Sequence, residues 1–402
     1  MMEPRLMSAV MESNQQCRPE SRLGLGVIWF LWFANLYDMG GGFGIKYVSI
    51  AVAVLYLVPN FRALPTDRPT THLLIYIFLL WPLLSLLHGL YAGADTALAV
   101  SQVTPFLVAV IYVFVSQQVS PDRAIAAFFG IMFSLAIVVF VMYGLLWLNL
   151  PGSEYLLLIF QSAEHGYFGY RSIGGTELPN VYFKATLFFV PTYVYYLYKG
   201  NFIKALLILV ALILAVSKAG FAICLAFSVG YFFMFKTDKR RKTAIVVTFL
   251  ILTPLFLGFQ HFTEALVESV TGQSETSQVR LSYLGSLYDL FGGSPLLLLV
   301  GQGTGVPFYS EYLGEFVANI EVDFLNSIRK FGLLWFLVFA ALILTHFYKL
   351  FRSAFPENRI IGLALLAMFF AAGTNPVLIS PPFLMFLMLS LDLFWRKDAA
   401  VR

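Results

Sequence analysis

The chain has 402 residues, of which 59% are hydrophobic and only 12% charged, with a net charge of +4 and a mean hydropathy of +0.79. A soluble domain carries about a quarter charged residues because its surface faces water, so this composition excludes a soluble globular protein. Apolar runs recur along the whole chain, which also excludes a soluble enzyme with one anchor.

The first 23 residues hold Arg5, Arg18 and Arg22 among polar neighbours without a small-residue cleavage site, and read as a cytoplasmic tail rather than a cleaved leader. A bilayer core of about 30 Å takes about 20 apolar residues per helix. On that measure spans are expected near 24–38, 44–60, 73–92, 97–116 and 124–150, then 180–198, 202–217, 219–236 and 243–260, and finally 323–347, 359–374 and 379–395. The fold expected is therefore all-α, a polytopic bundle of roughly twelve transmembrane helices. It divides into a tail (1–23), five helices (24–150), a loop (151–179), four helices (180–260), a larger loop (261–322), three helices (323–395) and a second tail (396–402).

Orientation follows the cations. Lys236, Lys239, Arg240, Arg241 and Lys242 form the densest cluster and belong inside. Alternation then puts both termini in the cytoplasm and both long loops outside. Only seven of the 26 Lys and Arg fall on the outer side: Lys46, Arg171, Lys184, Lys218, Arg280, Arg329 and Lys330. Cys17 and Cys224 fall outside any segment placed beyond the membrane, so no disulfide framework is expected.

The long loops carry the candidate chemistry, since loops of this length in a compact bundle are functional or unstructured. In the second, Leu281, Leu284, Tyr288 and Phe291 follow Arg280 at helical spacing, which predicts an amphipathic helix at the interface. Gly301, Gly303 and Gly305 read either as a tight turn or as a nest of backbone amides around a phosphate. Val306 and the lack of a following lysine exclude the dinucleotide and P-loop fingerprints. Arg171, Lys218 and Arg280 share one side of the membrane, where a cation near hydrocarbon needs a cavity or a partner, or else snorkels to the interface. Glu321 and Asp323 open the next span about 200° apart on a helix, so at most one faces a given site. One could serve as general base, or both could pair with Arg329 or Lys330 or accept from a helix terminus. The five histidines are scattered without metal-ligand spacing, so neither a metal nor another cofactor is expected.

These elements together resemble the O-antigen polymerase and ligase superfamily of bacterial inner-membrane glycosyltransferases. The resemblance runs from about residue 170 to 335. It rests on Arg171 before Gly174-Gly175 and Pro179-Asn180, on Ser217-Lys218-Ala219-Gly220 between two spans, on Arg280 early in the second loop, on the Gly301-Gln302-Gly303 turn, and on a polar opening of the next helix before Gly332. The departures are Lys218, where the family often has Arg, and Glu321-Val322-Asp323, where ligases carry a His-Asn pair. The second departure favours a polymerase.

The resemblance implies a GT-C-like, metal-independent glycosyltransferase. Its donor is a glycan on undecaprenyl pyrophosphate, and its product belongs to O-antigen, capsule or exopolysaccharide synthesis. Arg171, Lys218, Arg280, Gly301 and Gly303 would hold the pyrophosphate, with Arg280, Glu321 and Asp323 catalytic. Partners would be membrane lipid and, in the same membrane, a chain-length regulator and a flippase; no nucleic acid is expected. The alternatives are a ligase acting on lipid A core, a polysaccharide or lipid transporter or flippase, and a non-catalytic scaffold.

Overall fold

A computed structural model describes residues 21–60, 69–162, 166–173, 176–215, 217–234, 242–243, 246, 275–311, 313–320, 322–373 and 375–399. It is mostly helical, at 77% helix, with few strands. Helices α1 (Arg22–Tyr37) and α2 (Ile45–Asn60) come first. A composite helix follows: α3 (Pro69–Ile75), a π-helical turn (Tyr76–Leu80) and α4 (Trp81–Tyr91). Next are α5 (Thr96–Ser116), α6 (Pro121–Trp147) and α7 (Ser153–Ser162). Strands β1 (Gly166–Ile173) and β2 (Thr176–Phe183) form an antiparallel hairpin that runs through a 3₁₀ turn into α8 (Phe189–Tyr198). Then come α9 (Phe202–Leu214), α10 (Lys218–Met234), α11 (Glu275–Gly293) and α12 (Pro295–Val300). A second hairpin, β3 (Phe308–Ser310) with β4 (Glu315–Val317), leads to α13 (Asp323–Arg352), α14 (Pro356–Ala371) and α15 (Pro381–Ala399).

Four of these helices are long and apolar enough to cross a membrane: His72–Tyr91, Thr96–Ser116, Pro121–Trp147 and Asp323–Arg352. Each coincides with an expected span. Helices α1, α2, α9 and the Pro381–Phe394 part of α15 are apolar but shorter. The expected span at 243–260 lies, apart from residues 243 and 246, outside the described residues. Two expectations are corrected. The 151–179 segment is not a loop but α7 and most of a hairpin, and 180–198 starts as strand, so helix begins only after Phe183. The reason is the aromatic alternation of β1 and β2, whose Phe168 and Phe183 rings pack edge to face at 4.9 Å and enclose Phe160 of α7.

Aromatic side chains fill the core. Trp32 of α1 is fully buried between Tyr112 of α5 and Phe128 of α6. Phe106 of α5 meets Phe331 and Trp335 of α13, and Phe339 continues the row to Phe78 in the π turn. Helix ends are set locally: Asp95 accepts from the amide of Leu98 to start α5, and Pro121 opens α6.

Two helices are broken inside the bundle, and each break is closed by the other helix. In the π turn, the amide of Trp81 bonds the carbonyl of Tyr76, and Pro82 has no amide to offer Ile77. The orphaned carbonyl of Ile77 is taken by the Trp335 indole of α13 at 3.2 Å. In α13, Gly332 adopts φ 86° and ψ 158°, which releases the carbonyls of the preceding turn. That of Phe331 accepts from the Trp81 indole at 2.7 Å, returning the favour across the interface.

Candidate functional site

The remaining carbonyls freed at Gly332 define the place where the loop 301–305 enters the bundle. Arg329 O accepts from Gln302 N at 2.7 Å, and Lys330 O accepts from Gly303 N at 3.2 Å and from the Ser85 hydroxyl at 2.9 Å. The loop continues across α4 and α5: Thr304 N donates to Ser85 O at 3.1 Å and Gly305 N to Gln102 Oε1 at 2.9 Å. Gly301 N closes α12 on Leu297 O at 2.8 Å. Residues 301–305 are all buried. Non-helical backbone at such depth is tolerated where protein satisfies it, and here every amide of the five has a protein acceptor.

This settles the role of Gly301 and Gly303 in a direction other than a phosphate nest. Their amides are spent on Leu297 and Lys330 carbonyls, so the nest reading is corrected: the loop plugs a broken helix. Glycine is required by contact. A Cβ on Gly303, whose φ is +92°, would run into the backbone of Gly89, and one on Gly332 into the carbonyl of Leu299.

Just beyond the plug, Arg329 is fully buried. One terminal nitrogen donates to Val306 O at 2.7 Å and Gln302 Oε1 at 3.2 Å; the other donates to Ala318 O at 2.6 Å and Asn326 Oδ1 at 3.1 Å. Its guanidinium lies 4.9 Å from the centre of the Phe308 ring. Val306 precedes β3 and Ala318 follows β4, so a single guanidinium clamps both feet of the second hairpin to α13. The planar fork of arginine is what allows one side chain to reach both.

The first turns of α13 carry a buried polar stripe: Asp323, Asn326, Ser327 and Lys330. Their spacing of three, four and seven residues puts them on one helix face. Asp323 accepts from the backbone amide of Leu378 at 2.5 Å. It therefore ties the loop before α15 to the start of α13. Lys330 donates to Asn319 Oδ1. In the sequence Asp323 stands out for its charge, and Arg329 and Lys330 as its possible ion-pair partners, whereas Asn326 and Ser327 carry no signal of their own. The periodicity of the stripe was the signal that could have found it.

Of the other candidates, Arg280 is the one whose element packs against this unit. Arg280 is half-buried on α11, three residues before Tyr283 and seven before Leu287, on the face that packs against the hairpin. Tyr283, Leu287, Phe308 and Ile320 form a small separate core, with Val279, Val317 and Leu325 against it. So α11, the hairpin and the start of α13 are one packed body. Of the expected stripe, Leu281, Leu284 and Tyr288 point outward, with Tyr288 79% exposed, whereas Phe291 packs against the small core; the face buried in protein is the one carrying Tyr283 and Leu287. Arg171 lies on β1 opposite Leu178, in the distal half of the first hairpin, and Lys218 opens α10. Glu321 lies outside the described residues.

A cavity of about 280 Å³ lies elsewhere, lined by Asp122, Tyr195, Tyr198, Lys199 and Glu357. It adjoins the start of α14 and hence the C-terminal end of α13. At about 1.5 Å per residue, the unbroken part of α13 beyond Gly332 alone separates it from the stripe by roughly 30 Å. Its lysine is already engaged, with Lys199 2.7 Å from Glu357, which raises the Lys199 pKa by hydrogen bonding to the carboxylate.

No family model and no curated protein matches the chain.

Proposed function

We propose that the protein is a polytopic glycosyltransferase of about twelve spans, GT-C-like, that polymerises glycans carried on undecaprenyl pyrophosphate at the outer face of a bacterial inner membrane, with both termini in the cytoplasm. One observation carries this reading most: Arg280 stands on a helix locked through Tyr283 and Leu287 to a hairpin that Arg329 clamps to α13. A cation held in place by packing, rather than on a loose loop, stabilises developing negative charge without reorganising first.

In the reaction, an acceptor hydroxyl attacks the anomeric carbon of the donor. The bond from that carbon to the pyrophosphate oxygen breaks, and the polyprenyl pyrophosphate leaves with the electron pair. Arg280, with Arg171 and Lys218, neutralises the leaving group. The hydroxyl proton passes to a carboxylate. The two candidates differ in commitment: Asp323 is buried and held by the Leu378 amide, which suits a structural anchor, so Glu321 is the base we favour. Gly301 and Gly303 act by shaping the plug, not by touching substrate. A chain-length regulator and a flippase are the partners such a polymerase would meet in its membrane.

The broken helix at Gly332 favours one rival, a transporter, because discontinuous helices build ion and substrate sites from unwound backbone. Against it, the carbonyls of Arg329, Lys330 and Phe331 already accept from Gln302, Gly303, Ser85 and Trp81, so protein donors occupy the break. Purified protein given lipid-linked repeat units alone should yield a ladder of longer lipid-linked glycans. Single-step transfer to lipid A core would mean a ligase, and no chemistry would favour transport. Arg280→Ala should abolish the ladder at unchanged protein level, and Glu321→Gln should do so more severely than Asp323→Asn; normal polymer from Arg280→Ala would sink the assignment.

A further inference from the structure

The second hairpin exposes two aromatic rings that the fold does not use. Tyr309 and Phe316 are directly paired across the strands, with ring centres 5.4 Å apart and planes at 67°. They are 50% and 70% exposed, whereas Phe308, next to Tyr309 on the other face, is buried in the small core. The platform beneath them is built. Arg329 holds both feet, the amide of Glu311 donates to Ser286 Oγ on α11 at 3.4 Å, and Gly314 N returns to Ser310 O at 2.9 Å to close the tip. An exposed apolar pair on a fixed support marks a contact site rather than a packing defect.

Charge selects the occupant. Glu311 and Glu315, both exposed, border the pair at the tip, and residues 306–320 contain no Lys or Arg. Two carboxylates on a hairpin with no Lys or Arg of its own repel the anionic headgroups that basic and aromatic membrane anchors seek. An uncharged sugar meets both features at once: its C–H face lies on an aromatic ring, and its hydroxyls donate to carboxylates in charge-assisted bonds. We propose that Tyr309, Phe316, Glu311 and Glu315 form a subsite for an uncharged oligosaccharide, the stretch of chain next to the reacting sugar. This rests on the polymerase reading for the side of the membrane and for the kind of molecule met there.

The test uses the full-length protein in nanodiscs of zwitterionic lipid, probed on an array of neutral gluco-, galacto- and manno-oligosaccharides. Wild type should retain at least one class. Tyr309→Ala with Phe316→Ala should weaken that binding at least tenfold at an unchanged thermal midpoint, since both rings are exposed, and Phe316→Trp should preserve it. Glu311→Gln with Glu315→Gln should weaken it less. Failure of wild type to bind any neutral oligosaccharide, or equal binding by the double alanine variant, overturns the subsite. So does quenching of Phe316→Trp fluorescence by lipids brominated on their acyl chains, which would put the ring in the bilayer. Chain extension measured in parallel separates the two readings. Tyr309- and Phe316-dependent binding without any extension removes the polymerase and leaves the subsite standing; extension with unaltered binding in the double variant removes the subsite alone.

Discussion

Arg329 shows how a buried charge can be held, among the described residues, without a carboxylate. Among the described residues its partners are two backbone carbonyls and two side-chain amides, spread over residues 302 to 326. Leaving a buried acceptor unpaired costs about 1–3 kcal/mol, and Arg329 serves several. Arg329→Met should therefore lower the thermal midpoint in detergent markedly. Arg329→Lys should not restore it, because one ammonium cannot span Val306 and Ala318; a midpoint like wild type in either variant would remove the clamp from the account. At the other end of α13, the Lys199–Glu357 pair is smaller in effect, since both side chains are about 40% exposed. The pairing raises the lysine pKa, so its contribution is complete below the unfolded value of about 10.4 and is lost as pH rises through the higher folded value. Lys199→Met should lower stability at pH 8 by less than about 1 kcal/mol, and the gap to wild type should close at strongly alkaline pH.

At the scale of elements, hydropathy and interaction range separate what could be read from what could not. The four long spans were legible because each is a continuous apolar run, and the structure puts helices within a few residues of the expected bounds. The stripe from Asp323 to Lys330 was legible in principle, since its periodicity is local. The break at Gly332 was not. In sequence it is one glycine inside an apolar helix, and its cause lies 29 to 251 residues away, in Gln302, Gly303, Ser85 and Trp81. The same distance hid the duty of Gly301 and Gly303, which look alike as a turn or as a nest until their acceptors are known. The π turn is of this kind too, because Pro82 announces a disturbance but not that Trp335 repairs it. Gly332→Ala tests the break directly. At φ 86° and ψ 158° the backbone lies in a region that essentially only glycine adopts, at a cost of about 1–3 kcal/mol for a side chain, and the carbonyl of Leu299 stands where its Cβ would go, so the midpoint should fall. Gly292→Ala, with nothing within 4 Å, is the matched control and should change little.

Across the whole molecule, the body formed by α11, the second hairpin and the start of α13 gathers Arg280, Arg329, Asp323 and the Tyr309–Phe316 pair at one end of α13, while the cavity beside Lys199 and Glu357 sits at the other. The plug that joins this body to α4 and α5 also has a bearing on how the protein is made. Trp81 and Ser85 emerge from the ribosome some 245 residues before Phe331 and Lys330, their partners. At about 5–20 residues per second, the N-terminal helices wait roughly 10 to 50 seconds in the bilayer with an unmatched indole, a bare carbonyl at Ile77 and a vacant slot beside Gly89. During that interval they are a target for membrane quality control and need an insertion chaperone more than their hydropathy suggests. A chain truncated at residue 300, which lacks both the plug and α13, would stay in that state permanently, and pulse-chase labelling should show it degraded much faster than full-length protein even though its first helices are unchanged.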